Sequence, residues 1–206
     1  MKFYPINLIV ENKKCVVVGG GKVAYRKICG LLDAGAKVEV IAPKVCAEIS
    51  NLVDAGKVTL IREKYSDEKI SDGIILIAAT DDAEVNRLAA ESARTKNFLV
   101  NVVTDFEGDF TVPSKISRGD FLLTISTGGN SPAFSKFVRE MLETEFDSNF
   151  DEGLKIISDL RYKVKKFLPD DKSRIKFWRE ILTPEIWQLL KVGNIDKLKK
   201  VLEERL

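Results

Sequence analysis

Apolar residues fall in short unbroken runs over the first half of the chain and at helical spacing over the second. Residues 15–18, 37–42 (closed by Pro43), 58–61, 74–78 and 98–103 read as strands. Continuous apolar runs of this length suit strands buried on both faces. Between them, Val23, Ile28, Leu31 and Leu32 give one apolar face to the segment after Gly21. Residues 44–55 also read as a helix, and 82–96 carry Val85, Leu88 and Ala89 on one side. Strands alternating with helices predict an α/β arrangement, a parallel sheet covered on both faces.

The pattern then changes. Residues 110–117 and 121–127 are β-like runs separated by Arg118-Gly119-Asp120, which predicts an antiparallel hairpin. Ser131-Pro132 marks a helix start, with serine as N-cap and proline at the first helical position. Phe134, Phe137, Val138, Met141 and Leu142 then form one apolar stripe. A hairpin and one such helix do not easily close a core alone, so this piece is expected to pack on a partner. Residues 147–206 read as helical throughout, with breaks near Leu168-Pro169-Asp170-Asp171, Thr183-Pro184 and Gly193-Asn194. The expected division is a sheet domain at 1–109, a dimerisation segment at 110–146 and a helical domain at 147–206.

Composition narrows the class. With 206 residues, 45% hydrophobic and 31% charged, the chain reads as a soluble globular protein. No apolar run is long enough to cross a bilayer, and Met1-Lys2-Phe3-Tyr4-Pro5 lacks a signal peptide's apolar core, so the expectation is cytoplasmic, with no membrane partner. Cys15, Cys29 and Cys46 show no CxxC spacing and read as small hydrophobic residues; no metal site is expected. Histidine is absent, so proton transfer must use carboxylates, lysines, a thiol, a tyrosine or water. Residues 161–179 hold eight basic and two acidic side chains, +6 in a chain of net +2. They form either a solvated helix face or a surface that steers an anionic ligand. No helix-turn-helix or stacking platform accompanies them, so nucleic acid is not the expected partner.

The candidate chemistry begins at Val16-Val17-Val18-Gly19-Gly20-Gly21-Lys22-Val23-Ala24, a strand turning through glycines into a helix. Such a turn either seats a dinucleotide pyrophosphate, with Gly19 for the tight turn, Gly21 for close backbone approach, Ala24 for helix packing and the helix-start N–H groups facing the anion, or is a merely structural glycine turn; the apolar strand and amphipathic helix around it favour the first. Ala78-Ala79-Thr80-Asp81-Asp82 follows the fourth strand, where Thr80 would border the nicotinamide half of a cofactor and Asp82 reads first as the next helix's N-cap. Asn101-Val102-Val103-Thr104-Asp105 ends the fifth strand at the same edge. A carboxylate there can accept or orient a proton, or simply form the turn. Ser126-Thr127-Gly128-Gly129-Asn130-Ser131-Pro132 offers backbone N–H groups beside a helix start, an anion seat for a substrate carboxylate or a plain chain turn.

Taken in order, Val17-Val18-Gly19-Gly20-Gly21-x-Val23-Ala24-x-Arg26-Lys27, Ala78-Ala79-Thr80-Asp81-Asp82 with Val85-Asn86, Asn101-Val102-Val103, Pro113, and Ser126-Thr127-Gly128-Gly129-x-Ser131-Pro132 resemble the precorrin-2 dehydrogenase family, the first module of sirohaem synthases. The start Tyr4-Pro5-Ile6-Asn7-Leu8 is of the family's type, and the resemblance spans nearly the whole chain, in the free-standing form. It implies a Rossmann domain, a segment that interlocks two subunits of a homodimer, a helical C-terminal domain, and NAD-dependent oxidation of precorrin-2 to sirohydrochlorin. Some members also insert ferrous iron, which makes a bifunctional dehydrogenase and ferrochelatase the alternative; a dinucleotide-sensing regulatory module is a more distant one. The implied cofactor residues are Gly19, Gly21, Lys22, Val23 and Thr80, and the substrate residues Thr104, Ser126, Thr127, Gly128 and Ser131. The family's functional aspartate directly follows Asn-Val-Val. Here that place is Thr104, and Asp105 is the candidate catalytic carboxylate. The second strand ends in Ile41-Ala42-Pro43 without the acidic residue that bonds a ribose, so the choice of NAD over NADP rests on the resemblance.

Overall fold

The computed structural model describes residues 3–103 and 108–205. The chain forms two compact units, Met1–Val112 and Pro113–Leu206.

In the first unit, β1 (Lys14–Val18), β2 (Lys37–Ile41), β3 (Val58–Ile61), β4 (Ile75–Ala78) and β5 (Leu99–Val102) make a parallel sheet in the order β3-β2-β1-β4-β5. The chain runs outward from β1 through β2 to β3, then crosses to β4 on the other side. This reversal leaves a crevice at the carboxyl ends of β1 and β4, where open α/β sheets bind ligands. The register brings Val18 level with Ile41 on one side and Ala78 on the other.

The apolar runs become strands because both sheet faces are covered. Cys15, Val17, Val40, Ile75 and Ile77 share a core with Ala24, Ile28 and Leu31 of α1 (Lys22–Asp33) and Ile49 of α2 (Ala47–Asp54). Val16, Val18, Leu76, Ala78, Val100 and Val102 pack with Ala89, Ala90 and Ala93 of α3 (Ala83–Thr95). The small alanines allow α3 to lie close to the sheet.

The second unit begins with the expected hairpin, β6 (Ser114–Arg118) and β7 (Phe121–Ile125), turning at Gly119 with φ +56°. Its first strand is shorter than the apolar run suggests. Residues 109 and 110 are held along β5 instead: the Asp109 N–H donates to the Val100 carbonyl at 2.7 Å, and the Phe110 carbonyl accepts from Asn101 Nδ2 at 2.9 Å. Then come α4 (Pro132–Glu143), α5 (Asn149–Phe167), α6 (Asp171–Ile181), α7 (Pro184–Lys191) and α8 (Ile195–Glu204). The interruptions fall where expected, with Asp170 capping α6 through the Ser173 N–H and Asn194 capping α8 through the Lys197 N–H. Leu160, Val164, Ile181, Ile186, Leu198 and Leu202 form its core. Phe121 of the hairpin stacks on Phe146 with ring centroids 5.2 Å apart, beside Phe150 and Trp187, which anchors β7 to the helices.

The apolar stripe of α4 divides in two. Val138 and Leu142 are half-buried, whereas Phe134, Phe137 and Met141 are 57%, 56% and 59% exposed. Among the described residues no helix is long and apolar enough to cross a membrane.

Candidate functional site

The glycine turn at the end of β1 is held from both sides. Gly19 has φ +131°, a backbone conformation that favours glycine, and a Cβ there would stand 2.4 Å from the Ala79 carbonyl oxygen. A Cβ on Gly20 would stand 2.0 Å from the Lys44 carbonyl oxygen. Main-chain hydrogen bonds fix these approaches: Gly19 N–H to the Ile41 carbonyl at 3.0 Å, Ala79 N–H to Val18 at 2.8 Å, and Cys46 N–H to Gly20 at 2.8 Å. Three loops at the carboxyl edge therefore meet at two adjacent glycines.

Gly21 differs from both. It is the N-cap of α1 in an ordinary extended conformation (φ −87°, ψ −177°), and no atom beyond Gly21 and its chain neighbours lies within 4 Å of where its Cβ would be. The protein itself does not require glycine there. The open space is a cradle that a side chain would fill, in front of helix N–H groups that no side chain caps. The first turn of α1 carries no acidic residue, and Lys22 at its start is exposed. Val23 is half-buried. A diphosphate fits this arrangement: bare N–H donors, the positive end of a helix dipole and a lysine, with no carboxylate in the helix's first turn.

Across the crevice, Thr80 follows β4. Its hydroxyl is already engaged, accepting from the Asp82 N–H at 3.2 Å and lying 2.8 Å from Asn86 Oδ1 and 2.9 Å from the Asp82 carbonyl. Asp82 caps α3, its carboxylate accepting from the N–H groups of Glu84 (2.9 Å) and Val85 (3.1 Å), while Asp81 is exposed. Glu39, in the middle of β2 and not at its carboxyl end, is bound to Lys14 at 2.9 Å inside the sheet.

At the end of β5, Asn101 is 8% exposed; its Nδ2 holds the Phe110 carbonyl, and its Oδ1 has no hydrogen-bond partner among the described residues. The Asp109 carboxylate accepts from the Val100 N–H at 2.8 Å and pairs with Arg94 at 3.5 Å, so it ties down the sheet edge. Thr104 and Asp105 lie outside the described residues.

The Ser126–Pro132 turn belongs to the second unit. Gly128 and Gly129 adopt left-handed conformations, φ +63° and +84°. The turn's own acceptors take several of its N–H groups: Gly128 donates to Ser126 Oγ (3.2 Å), Asn130 to the Thr127 carbonyl (3.2 Å) and Ser131 to Thr127 Oγ1 (3.2 Å). Ser131 Oγ caps α4 through the Phe134 N–H at 3.2 Å. These bonds favour a chain turn over an open row of donors.

All three cysteines are free, and burial pushes the Cys15 thiol up to about 11. Among the described residues no group of three or more Cys, Asp or Glu side chains gathers as a metal site. Sequence reasoning gave no role to Gly20, Asn86 or Asp109. The signal for Gly20 was a third glycine beyond the two the phosphate turn needs. Asn86 could have been found as a polar residue on the side of α3 that also carries Ala89, Ala90 and Ala93.

Comparison with known proteins agrees with this geometry. Residues 6–114 match the family model NAD_binding_7, described as "Putative NAD(P)-binding". The siroheme synthase of Methylococcus capsulatus is 38% identical over 99% of the chain, and that of Actinobacillus pleuropneumoniae 35% identical over 100%. The chain spans less than half of these curated relatives, 43% of each. A solved structure titled "SirC, precorrin-2 dehydrogenase" superposes with a TM-score of 0.78 at 27% identity, covering 98% of this chain and 100% of its own.

Proposed function

The chain belongs to this NAD(P)-binding family, and on that premise we propose that it is an NAD-dependent dehydrogenase oxidising precorrin-2 to sirohydrochlorin. The observation that carries the cofactor half is the open cradle at Gly21 before the uncapped start of α1. The substrate half is supported by the likeness to the SirC structure over nearly the whole of both chains.

In this reading the N–H groups at Gly21, Lys22 and Val23 hold the pyrophosphate, and the Lys22 charge adds to the helix dipole. Gly19 and Gly20 keep the turn rigid, so little ordering is left to the binding step. Bound NAD supplies the acceptor for a hydride. Thr80 borders the reacting end as part of the crevice wall, its hydroxyl, N–H and carbonyl all engaged with Asn86 and the turn. Loss of hydride from the macrocycle must be matched by loss of a proton, and Asp105 is the proposed acceptor in a chain without histidine. Ser126, Thr127, Gly128 and Ser131, with Thr104, are the proposed substrate residues. The basic stretch 161–179 steers the polycarboxylate substrate rather than nucleic acid.

We further assign a homodimer, with Phe134, Phe137 and Met141 of α4 covered by a second copy, and the cytoplasm as the compartment. The proposal is tested by mixing the protein with precorrin-2 and NAD anaerobically and following both chromophores. Stoichiometric reduction of NAD with formation of sirohydrochlorin is expected. No reduction of NAD in the presence of precorrin-2 would overturn it.

A further inference from the structure

The side chain of Asn86 is one of three buried polar or charged residues in the described structure, 1% exposed, and it makes hydrogen bonds to a single neighbour. Its Oδ1 accepts from the Thr80 N–H at 3.0 Å and lies 2.8 Å from the Thr80 hydroxyl, while its Nδ2 donates to the Thr80 carbonyl at 3.1 Å. All the polar groups of one residue are thus gripped by one carboxamide. The orientation of that carboxamide is fixed, because the Thr80 N–H needs an acceptor and the Thr80 carbonyl a donor.

The peptide held in this way is the one that meets the glycine turn. A Cβ on Gly19 would stand 2.4 Å from the Ala79 carbonyl oxygen, 2.7 Å from its carbon and 3.2 Å from the Thr80 nitrogen. The Ala79–Thr80 peptide therefore has Asn86 on its nitrogen and the Gly19 α-carbon against it. The grip spans the switch point of the sheet, from α3 on one side of the crevice to the β1–α1 turn on the other.

We propose that Asn86 is a positioning residue for the dinucleotide site, fixing the Ala79–Thr80 peptide so that the wall of the crevice and the glycine turn keep one spacing. This rests on the cofactor reading above. An apolar residue at this position would leave the part-buried Thr80 N–H and carbonyl without these partners, and the peptide would turn towards water to recover them.

The test is Asn86→Asp, titrated with NAD by calorimetry between about pH 8 and about pH 5, alongside the wild type. The ionised carboxylate still accepts from the Thr80 N–H and hydroxyl, but it cannot donate to the Thr80 carbonyl and repels it. Protonated, the acid regains that donor. NAD affinity of the variant should fall at least about tenfold at the alkaline end and recover towards the acid end, with the wild type nearly flat. A purely structural role would lower the melting temperature without this pH-dependent recovery of affinity. Should Asn86→Asp not fold, Thr80→Val removes the hydroxyl from the grip and is expected to weaken NAD severalfold at every pH. Affinity equal to wild type throughout in the variant that folds would overturn the inference while leaving NAD binding intact. A wild type that binds no NAD would overturn the cofactor reading and this inference together.

Discussion

The carbonyl oxygen of Lys44 occupies the space that a side chain on Gly20 would need, 2.0 Å from the Cβ position, and the Cys46 N–H two residues later closes back on the Gly20 carbonyl at 2.8 Å. Two loops separated by a strand and a helix are locked backbone to backbone. Neither partner in the close contact is a flexible side chain that can move aside.

This predicts opposite outcomes at neighbouring glycines. Gly20→Ala must displace the β2–α2 loop, at a cost of about 2 kcal/mol or more, so unit one should melt roughly 10 °C lower. Gly21→Asp meets open space and should leave the melting temperature within a few degrees, yet abolish NAD binding by placing charge in front of the helix N–H groups. Differential scanning fluorimetry and calorimetric titration of the two variants check the contrast. Equal melting losses would show that the open space at Gly21 does not exist in solution.

The exposed stripe of α4 predicts a change of assembly. Phe137→Glu puts a charge among Phe134 and Met141, and the variant should sediment as a monomer or aggregate, whereas the wild type is expected to sediment as a dimer at micromolar concentration. A monomeric wild type would remove the basis for the proposed interface.

Cys15 predicts a thiol count and an alkaline limit. Its thiol is fully buried on β1 and pushed by burial from an ordinary 9.0 to about 11, so native protein at about pH 8 should expose at most two of its three thiols to an alkylating reagent. The folded state keeps a proton here that the unfolded state releases. Its contribution to stability is thus full below about pH 9 and drains away as pH rises towards about 11. Mass spectrometry after labelling, with and without denaturant, reads the count directly.

Two carboxylates that follow β5 in the sequence should behave differently. Asp105→Asn is expected to lower turnover at least about tenfold with NAD affinity nearly unchanged, the mark of an interaction made in the transition state. Asp109 holds the Val100 N–H and Arg94, so Asp109→Asn should lower stability before it lowers turnover. Steady-state kinetics beside thermal melts separates them. Full activity of Asp105→Asn would move the proton acceptor elsewhere.

How legible the chain was depended on how local each cause is. The strands of unit one, the Ser131-Pro132 helix start and the breaks at Pro169, Pro184 and Gly193 follow from the residues that form them, and they stand where the pattern put them. Asp82 also caps α3 as its position suggested. The reason for Gly20 was not legible, because it exists only through Lys44, brought near by the fold; Asn86 meets Thr80 only six residues away, but its polar position on the alanine side of α3 does not by itself say which groups it holds. The beginning of β6 was misplaced for the same reason, since nothing in Asp109-Phe110 itself announces that β5 will hold it. Phe121 read simply as a strand residue, although it is the ring that joins the hairpin to the helical core.

The two close approaches at Gly19 and Gly20 also bear on how the site comes into being. The turn that would cradle a diphosphate cannot take its shape from its own few residues; it must wait for β2 and β4 to have added on either side of β1, bringing Lys44 and Ala79 against it. Such non-local closure comes late and is felt by the whole sheet. A dinucleotide that binds only the finished turn thereby stabilises every strand at once, and its saturation should appear as a rise in the unfolding temperature of the unit, not as a local stiffening. Grafted alone into another protein, the glycine sequence would bring the ligand's donors without the walls that aim them.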